Sequence, residues 1–162
     1  MYSHDGIRDS LTNLASPSFF YEELRRAISR TERSGAQFSL IRLILGRVAK
    51  EKLTDELSLQ LPGDTEILKF ADVLIRFSRG EDLCARMGEM EFIVLLFAPQ
   101  SVAENYIQRV ASEWNSSLAV RNEHKNNVSM KLVASCLTSQ SGRNALALLE
   151  DLDHKPLITC GE

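Results

Sequence analysis

The side chains best placed to do chemistry fall within residues 79–92. Arg79-Gly80-Glu81-Asp82 sets a guanidinium and a carboxylate three positions apart, Arg86 follows, and Gly88-Glu89-Met90-Glu91-Phe92 adds two carboxylates beside a glycine. A guanidinium is planar, permanently charged and carries a rigid fork of N–H donors. That fork suits phosphate or carboxylate oxygens, while an aspartate supplies the complementary acceptors. The set therefore fits capture of a small anionic ligand. Each member also has a structural reading. Arg79 could sit at a helix C-terminus, where a cation is favoured, and Asp82 could stabilise a turn. Arg86 reads as half of a surface salt bridge, and Glu91 as a hairpin residue paired with a neighbouring arginine.

Other chemistries find little support. Cys84, Cys136 and Cys160 are odd in number and lack Cys-x-x-Cys spacing, so the expectation is buried free thiols in a reducing compartment. His4, His124 and His154 are scattered without zinc-site spacing. A net charge of -3 without a Lys/Arg block excludes a general nucleic-acid polymer binder. No apolar run approaches the roughly 20 residues of a membrane span. The first residues lack the apolar core of a secretory signal. The expectation is a cytoplasmic domain without membrane insertion.

The elements that must position residues 79–92 are legible from spacing. At 162 residues, 44% hydrophobic and 25% charged, the chain predicts one globular domain. Residues 1–8 form a polar lead-in and 9–162 the domain. Asp9–Leu14 reads as a turn, and Ser16-Pro17 as a helix start, with serine at N-cap and proline at the first helical position. Phe20, Leu24, Ala27 and Ile28 recur at helical spacing until Ser34-Gly35 stops the run. Phe38–Leu45 is a continuous apolar run, a strand buried on both faces. Residues 47–60 are polar and ambiguous, with a helix as one reading. Ile67, Leu68, Ala71, Leu74 and Ile75 mark a second helix. Leu83–Met87 and Glu91–Phe97 read as two strands joined by a tight turn at Gly88-Glu89. Val102, Tyr106, Ile107, Val110 and Trp114 share one face of a third helix. A polar loop over Asn115–Asn127, a strand over Val128–Cys136 and a helix near Asn144–Leu152 follow. This order predicts an α/β fold: a single sandwich with a central mixed sheet wrapped by helices.

Several of these segments together resemble the GGDEF family, the bacterial domains that make cyclic di-GMP from GTP. Arg79-x-x-Asp82-x-x-x-Arg86-x-Gly88-Glu89-Met90-Glu91-Phe92 resembles its signature hairpin and the Arg-x-x-Asp motif before it. Asp9-Ser10-Leu11-Thr12-Asn13-Leu14 is similar to the family's opening Asp-x-Leu-Thr-x-Leu. Gly63-Asp64 with Leu68 looks like its Gly-Asp-x-x-x-Leu helix start. The likeness runs from about Asp9 to Asp151 and implies a sheet of about five strands, of nucleotide-cyclase type.

The resemblance also implies what is missing. The family holds divalent metal with a carboxylate from the end of its first strand and another from the third signature position. Ile44 and Met90 stand there, and Gly46 aligns with a second family aspartate. Magnesium requires hard oxygen ligands, which isoleucine and a thioether lack. Glu89 replaces a signature glycine, and no asparagine between Arg47 and Gly63 can supply the family's guanine reader. Asp64, which helps read guanine in the family, is present. The C-terminal phosphate motif has no counterpart, leaving Lys155 as a stray candidate. The reading leans away from an enzyme, with no catalytic residue, no metal site and no Mg²⁺ cofactor.

What the resemblance implies is kept is the Arg-x-x-Asp product site. A guanidinium matches guanine O6 and N7, and an aspartate can accept from guanine N1–H and N2–H. Arg79 and Asp82 occupy those positions, and Arg109 matches a third family arginine if one residue is dropped from the preceding loop. The expectation is a non-catalytic cyclic di-GMP receptor acting on a protein partner, an attached domain or a second copy. A nucleotide-independent dimerisation or interaction module is the alternative, and a residual diguanylate cyclase the third reading.

Overall fold

The computed structural model describes residues 2–49, 59–121 and 128–160. The elements follow as α1 (Pro17–Ser34), β1 (Ser39–Ala49), α2 (Asp64–Arg76), β2 (Leu83–Arg86), β3 (Glu91–Leu96), α3 (Gln100–Arg121), β4 (Val128–Thr138), α4 (Ala145–His154) and β5 (Ile158–Thr159). Local signals set their ends. The Ser16 hydroxyl accepts from Phe19 N at 3.3 Å, Pro17 opens α1, and Gly35 closes it in the left-handed conformation at φ 73°. Such caps satisfy backbone groups that a helix end leaves open. Gly63 precedes α2, and the Asn144 side chain caps α4 by accepting from Ala147 N at 2.8 Å.

The strands form one five-stranded sheet in the order β2-β3-β1-β4-β5. All of its ladders are antiparallel. Here the expected mixed sheet needs correction. β2 does run parallel to β1, but β3 lies between them, so no parallel ladder forms. Among the described residues, parallel pairing is confined to a single bridge between Ala15 and Ala85. That bridge covers the β2 edge with the segment entering α1.

Side-chain alternation along the strands divides the interior into two cores. Ile41, Leu43, Leu45, Phe92 and Val94 face α2 and α3, where Phe70, Tyr106, Val110 and Trp114 pack. Phe38, Leu40, Ile93 and Leu95 face α1 and α4, where Phe20, Leu24, Leu148 and Leu152 pack. Phe70 centres the first core, edge-on to Phe92 at 5.1 Å and to Trp114 at 5.3 Å. Pairs of this geometry add about 0.5–1.5 kcal/mol beyond their buried area.

Two expectations are revised along the chain. The loop over 115–127 gives way to helix as far as Arg121, and residues 122–127 lie outside the described ones. No glycine or proline interrupts this stretch, Trp114 anchors it in the core, and the Ser117 hydroxyl bonds back to Trp114 O at 3.0 Å. In the ambiguous stretch 47–60, residues 47–49 continue β1, residues 50–58 lie outside the described ones, and Gln60 bridges back to Arg47. Among the described residues no helix is long and apolar enough to cross a membrane.

Candidate functional site

The Arg-x-x-Asp segment forms the turn between α2 and β2. Asp82 N donates to Arg79 O at 3.1 Å, and Asp82 Oδ2 accepts from Arg79 N at 2.8 Å. Its other oxygen, Oδ1, accepts from Phe97 N at 3.1 Å, just beyond the end of β3. One carboxylate thus closes its own turn and fastens it to the sheet, which is the turn-stabilising role open to Asp82 from sequence. The Arg79 side chain is exposed. Among the described residues it has no carboxylate within ion-pair reach and no bond to the α2 carbonyls.

Helix α3 brings Arg109 to the same region. Its guanidinium carbon lies 4.8 Å from the centroid of the Phe77 ring, within cation–π range, and Phe77 is two residues before Arg79. One turn earlier on α3, Tyr106 Oη donates to Leu74 O at 2.8 Å and lies 3.2 Å from Ser78 Oγ. Ser78 Oγ in turn donates to Leu74 O at 2.7 Å and lies 3.2 Å from Cys84 Sγ. Burial pushes the Tyr106 phenol far above its ordinary value, with the Cys84 thiol beside it contributing, and burial likewise raises the Cys84 thiol. The fold therefore gathers Arg79, Asp82 and Arg109 around one turn. Phe77, Ser78 and Phe97 belong to the same assembly and escaped sequence reasoning. The one signal was an aromatic residue two positions before the arginine.

The hairpin adjoins the middle of β1, where the reaction site was expected. Ile44 stands opposite Glu91 in the β1–β3 register, and Met90 O accepts from Leu45 N at 3.0 Å. The Glu91 carboxylate is held by Arg42 Nε at 2.7 Å, and Asp153 Oδ1 lies 3.8 Å from the same nitrogen. The hairpin pairing expected for Glu91 is present. At Gly46 an added Cβ would stand 2.7 Å from Leu59 Cβ. Two hydrogen bonds of 2.9 Å between Arg47 and Gln60 fix that approach. Leu59 therefore occupies the space a side chain at position 46 would claim. Among the described residues no group of three or more His, Cys, Asp or Glu side chains is arranged to hold a metal ion.

Arg86 does form a salt bridge, but a buried one. Its Nη1 lies 3.2 and 3.3 Å from the Asp9 oxygens, with the two residues 3% and 2% exposed. Asp9 also accepts from Thr12 N and Thr12 Oγ1, so the opening turn is built around it. Arg86 Nη2 donates to Glu89 O at 3.1 Å and fixes the hairpin from behind. It is framework, unavailable to a ligand. The surface expectation failed because Asp9 is 77 positions away in the chain.

The remaining candidates lie apart. Asp64 is the exposed first residue of α2, and Lys155 is the exposed residue capping the end of α4. A cavity of about 840 Å³ lies between α3 and the β4–β5 edge, with Ile107, Cys136, Lys155 and Cys160 in its wall. None of Arg79, Asp82 and Arg109 lines it. All three thiols are free, with Cys84 buried and Cys136 and Cys160 half-buried.

Comparison with known proteins agrees with this architecture. The family described as "Diguanylate cyclase, GGDEF domain" matches residues 6–155. A curated relative, diguanylate cyclase DgcS of Shewanella oneidensis, is 28% identical over 114 residues. That alignment takes in 70% of this chain but only 38% of the relative's length. Among solved structures, the GGDEF domain of DgcB from Caulobacter crescentus, in complex with c-di-GMP, superposes with a TM-score of 0.72. The two are 23% identical, and 93% of this chain and 88% of that one are covered. The diguanylate cyclase SiaD from Pseudomonas aeruginosa, in complex with its activator SiaC, gives 0.64 at 25% identity, covering 95% of this chain and 60% of that one.

Proposed function

The chain belongs to the GGDEF family of diguanylate cyclase domains, and from that membership we propose that it is a non-catalytic member that binds cyclic di-GMP. The observation that carries the reading is the preassembled turn, with Arg79 exposed, Asp82 fixed beside it and Arg109 brought over Phe77. The arginine forks would engage guanine edges or phosphate. Each Asp82 oxygen accepts one backbone bond, so a lone pair on each remains for guanine N–H donors. That DgcB was solved with c-di-GMP supports the choice of ligand. Occupancy of the turn would then bias contacts with a protein partner, an attached domain or a second copy.

Loss of the reaction rests on the middle of β1 and the hairpin beside it. Magnesium seeks near-octahedral oxygen ligation, and Ile44 offers hydrocarbon, Met90 a thioether, and Glu91 a carboxylate already paired with Arg42. The residues present do not fit the metal. Leu59 against Gly46 closes the adjacent space. Incubation with GTP and either Mg²⁺ or Mn²⁺ should yield no cyclic di-GMP, and robust product would overturn this account of Ile44 and Met90.

The deciding experiment is calorimetric titration of cyclic di-GMP into the folded protein and into Arg79→Ala. Micromolar or tighter binding abolished by the substitution supports the receptor. Silence in a folded sample favours a nucleotide-independent interaction module. The observation behind that second reading is Asp82 itself, whose two backbone bonds give it a structural role without any ligand.

A further inference from the structure

We propose that Phe77 is a positioning residue for the ligand turn, holding the Arg109 guanidinium in place before cyclic di-GMP arrives. This inference rests on the receptor reading above. A long arginine side chain loses rotamer freedom when it binds, and an arginine already restrained loses less. The Phe77 ring supplies that restraint, with the guanidinium carbon 4.8 Å from its centroid. Among the described residues no carboxylate competes for Arg109 as an ion pair.

The ring is itself fixed by the fold. Phe77 is the C-cap residue of α2, its N–H reaches Val73 O at 3.3 Å, and its side chain packs partly buried against the α2–α3 core. The height of Arg109 on α3 is set one turn away, where Tyr106 bonds Leu74 O and touches Ser78 Oγ. One short segment, Phe77-Ser78-Arg79, thus offers a ring to one arginine, a hydroxyl to the α3 strut, and the other arginine to the ligand. The geometry makes the contribution of Arg109 conditional on the ring beneath it.

The test is a titration series with cyclic di-GMP on wild type, Phe77→Leu, Phe77→Tyr, Arg109→Ala and the Phe77→Leu/Arg109→Ala double variant. Thermal midpoints are followed in parallel. From the strength of an exposed cation–π contact, Phe77→Leu should weaken binding about two- to five-fold. Phe77→Tyr should retain affinity, and Phe77→Leu should cost nothing further once Arg109 is gone. In the ligand-free protein the side-chain resonances of Arg109 should carry a ring-current shift that Phe77→Leu removes. Wild-type affinity in Phe77→Leu, or additive losses in the double variant, would overturn the proposal while leaving the receptor intact, even if the thermal midpoint fell. No binding by folded wild type would remove the receptor reading and this inference together.

Discussion

Arg86 and Asp9 show how strongly context governs a single residue. Both are almost fully buried, and the pair joins the hairpin to the opening turn. Truncating one partner of a buried ion pair leaves the other charge uncompensated, at a cost of about 3–5 kcal/mol. Asp9→Ala should therefore lose about that much stability in urea unfolding. The Cys84 thiol and Tyr106 phenol give a second prediction. Their ordinary values are 9.0 and 10.0, and both are raised in the folded protein, chiefly by burial. A raised pKa means the folded state keeps protons the unfolded chain has released, so this contribution is whole below the unfolded values and declines above them. Under reducing conditions the unfolding free energy should fall from about pH 9 upward. Cys84→Ala with Tyr106→Phe should flatten that fall, and an unchanged slope would remove these groups as its source.

At the scale of elements, α1 and α4 are cases where local signals sufficed. Ser16, Pro17 and Gly35 act within a few residues of the ends they cap, so their roles could be read directly, and the Asn144 cap that the structure adds acts over the same short range. Ser16→Ala should cost about 1 kcal/mol in unfolding free energy. The approach of Leu59 to Gly46 was not readable, because it depends on how the segment entering α2 returns to β1. A methyl group at position 46 would meet Leu59 Cβ rather than the tip of a flexible chain. Gly46→Ala should thus destabilise by about 1–3 kcal/mol, with part of the loss recovered by Leu59→Ala in a double-mutant cycle. Additive losses would show that the two positions do not compete for space.

For the whole molecule, the sheet separates two cores, one against α2 and α3 and the other against α1 and α4. Both depend on the same strands, since β1 sends Ile41 and Leu43 to one side and Leu40 to the other. The two halves should therefore unfold together. Trp114, the single tryptophan, is fully buried in the first core. Its fluorescence and far-ultraviolet circular dichroism should report coincident denaturant transitions. Separated midpoints would mean that the α1–α4 side melts independently.

By itself, the sequence was enough for the four helices, four of the five strands and the fold class, but not for β5 or for the far ends of β1 and α3. Periodicity, caps and turn residues act over a few positions, so Ser16, Gly35 and the apolar run to Leu45 carried their meaning without the rest of the chain. It also located the turn holding Arg79 and Asp82. Contacts across long stretches of chain decided the remainder. Only the tertiary structure set β3 between β1 and β2, buried Arg86 on Asp9, laid Leu59 over Gly46 and placed Arg109 on Phe77. Each depends on where packing of the two cores sends distant residues, information that no local spacing contains.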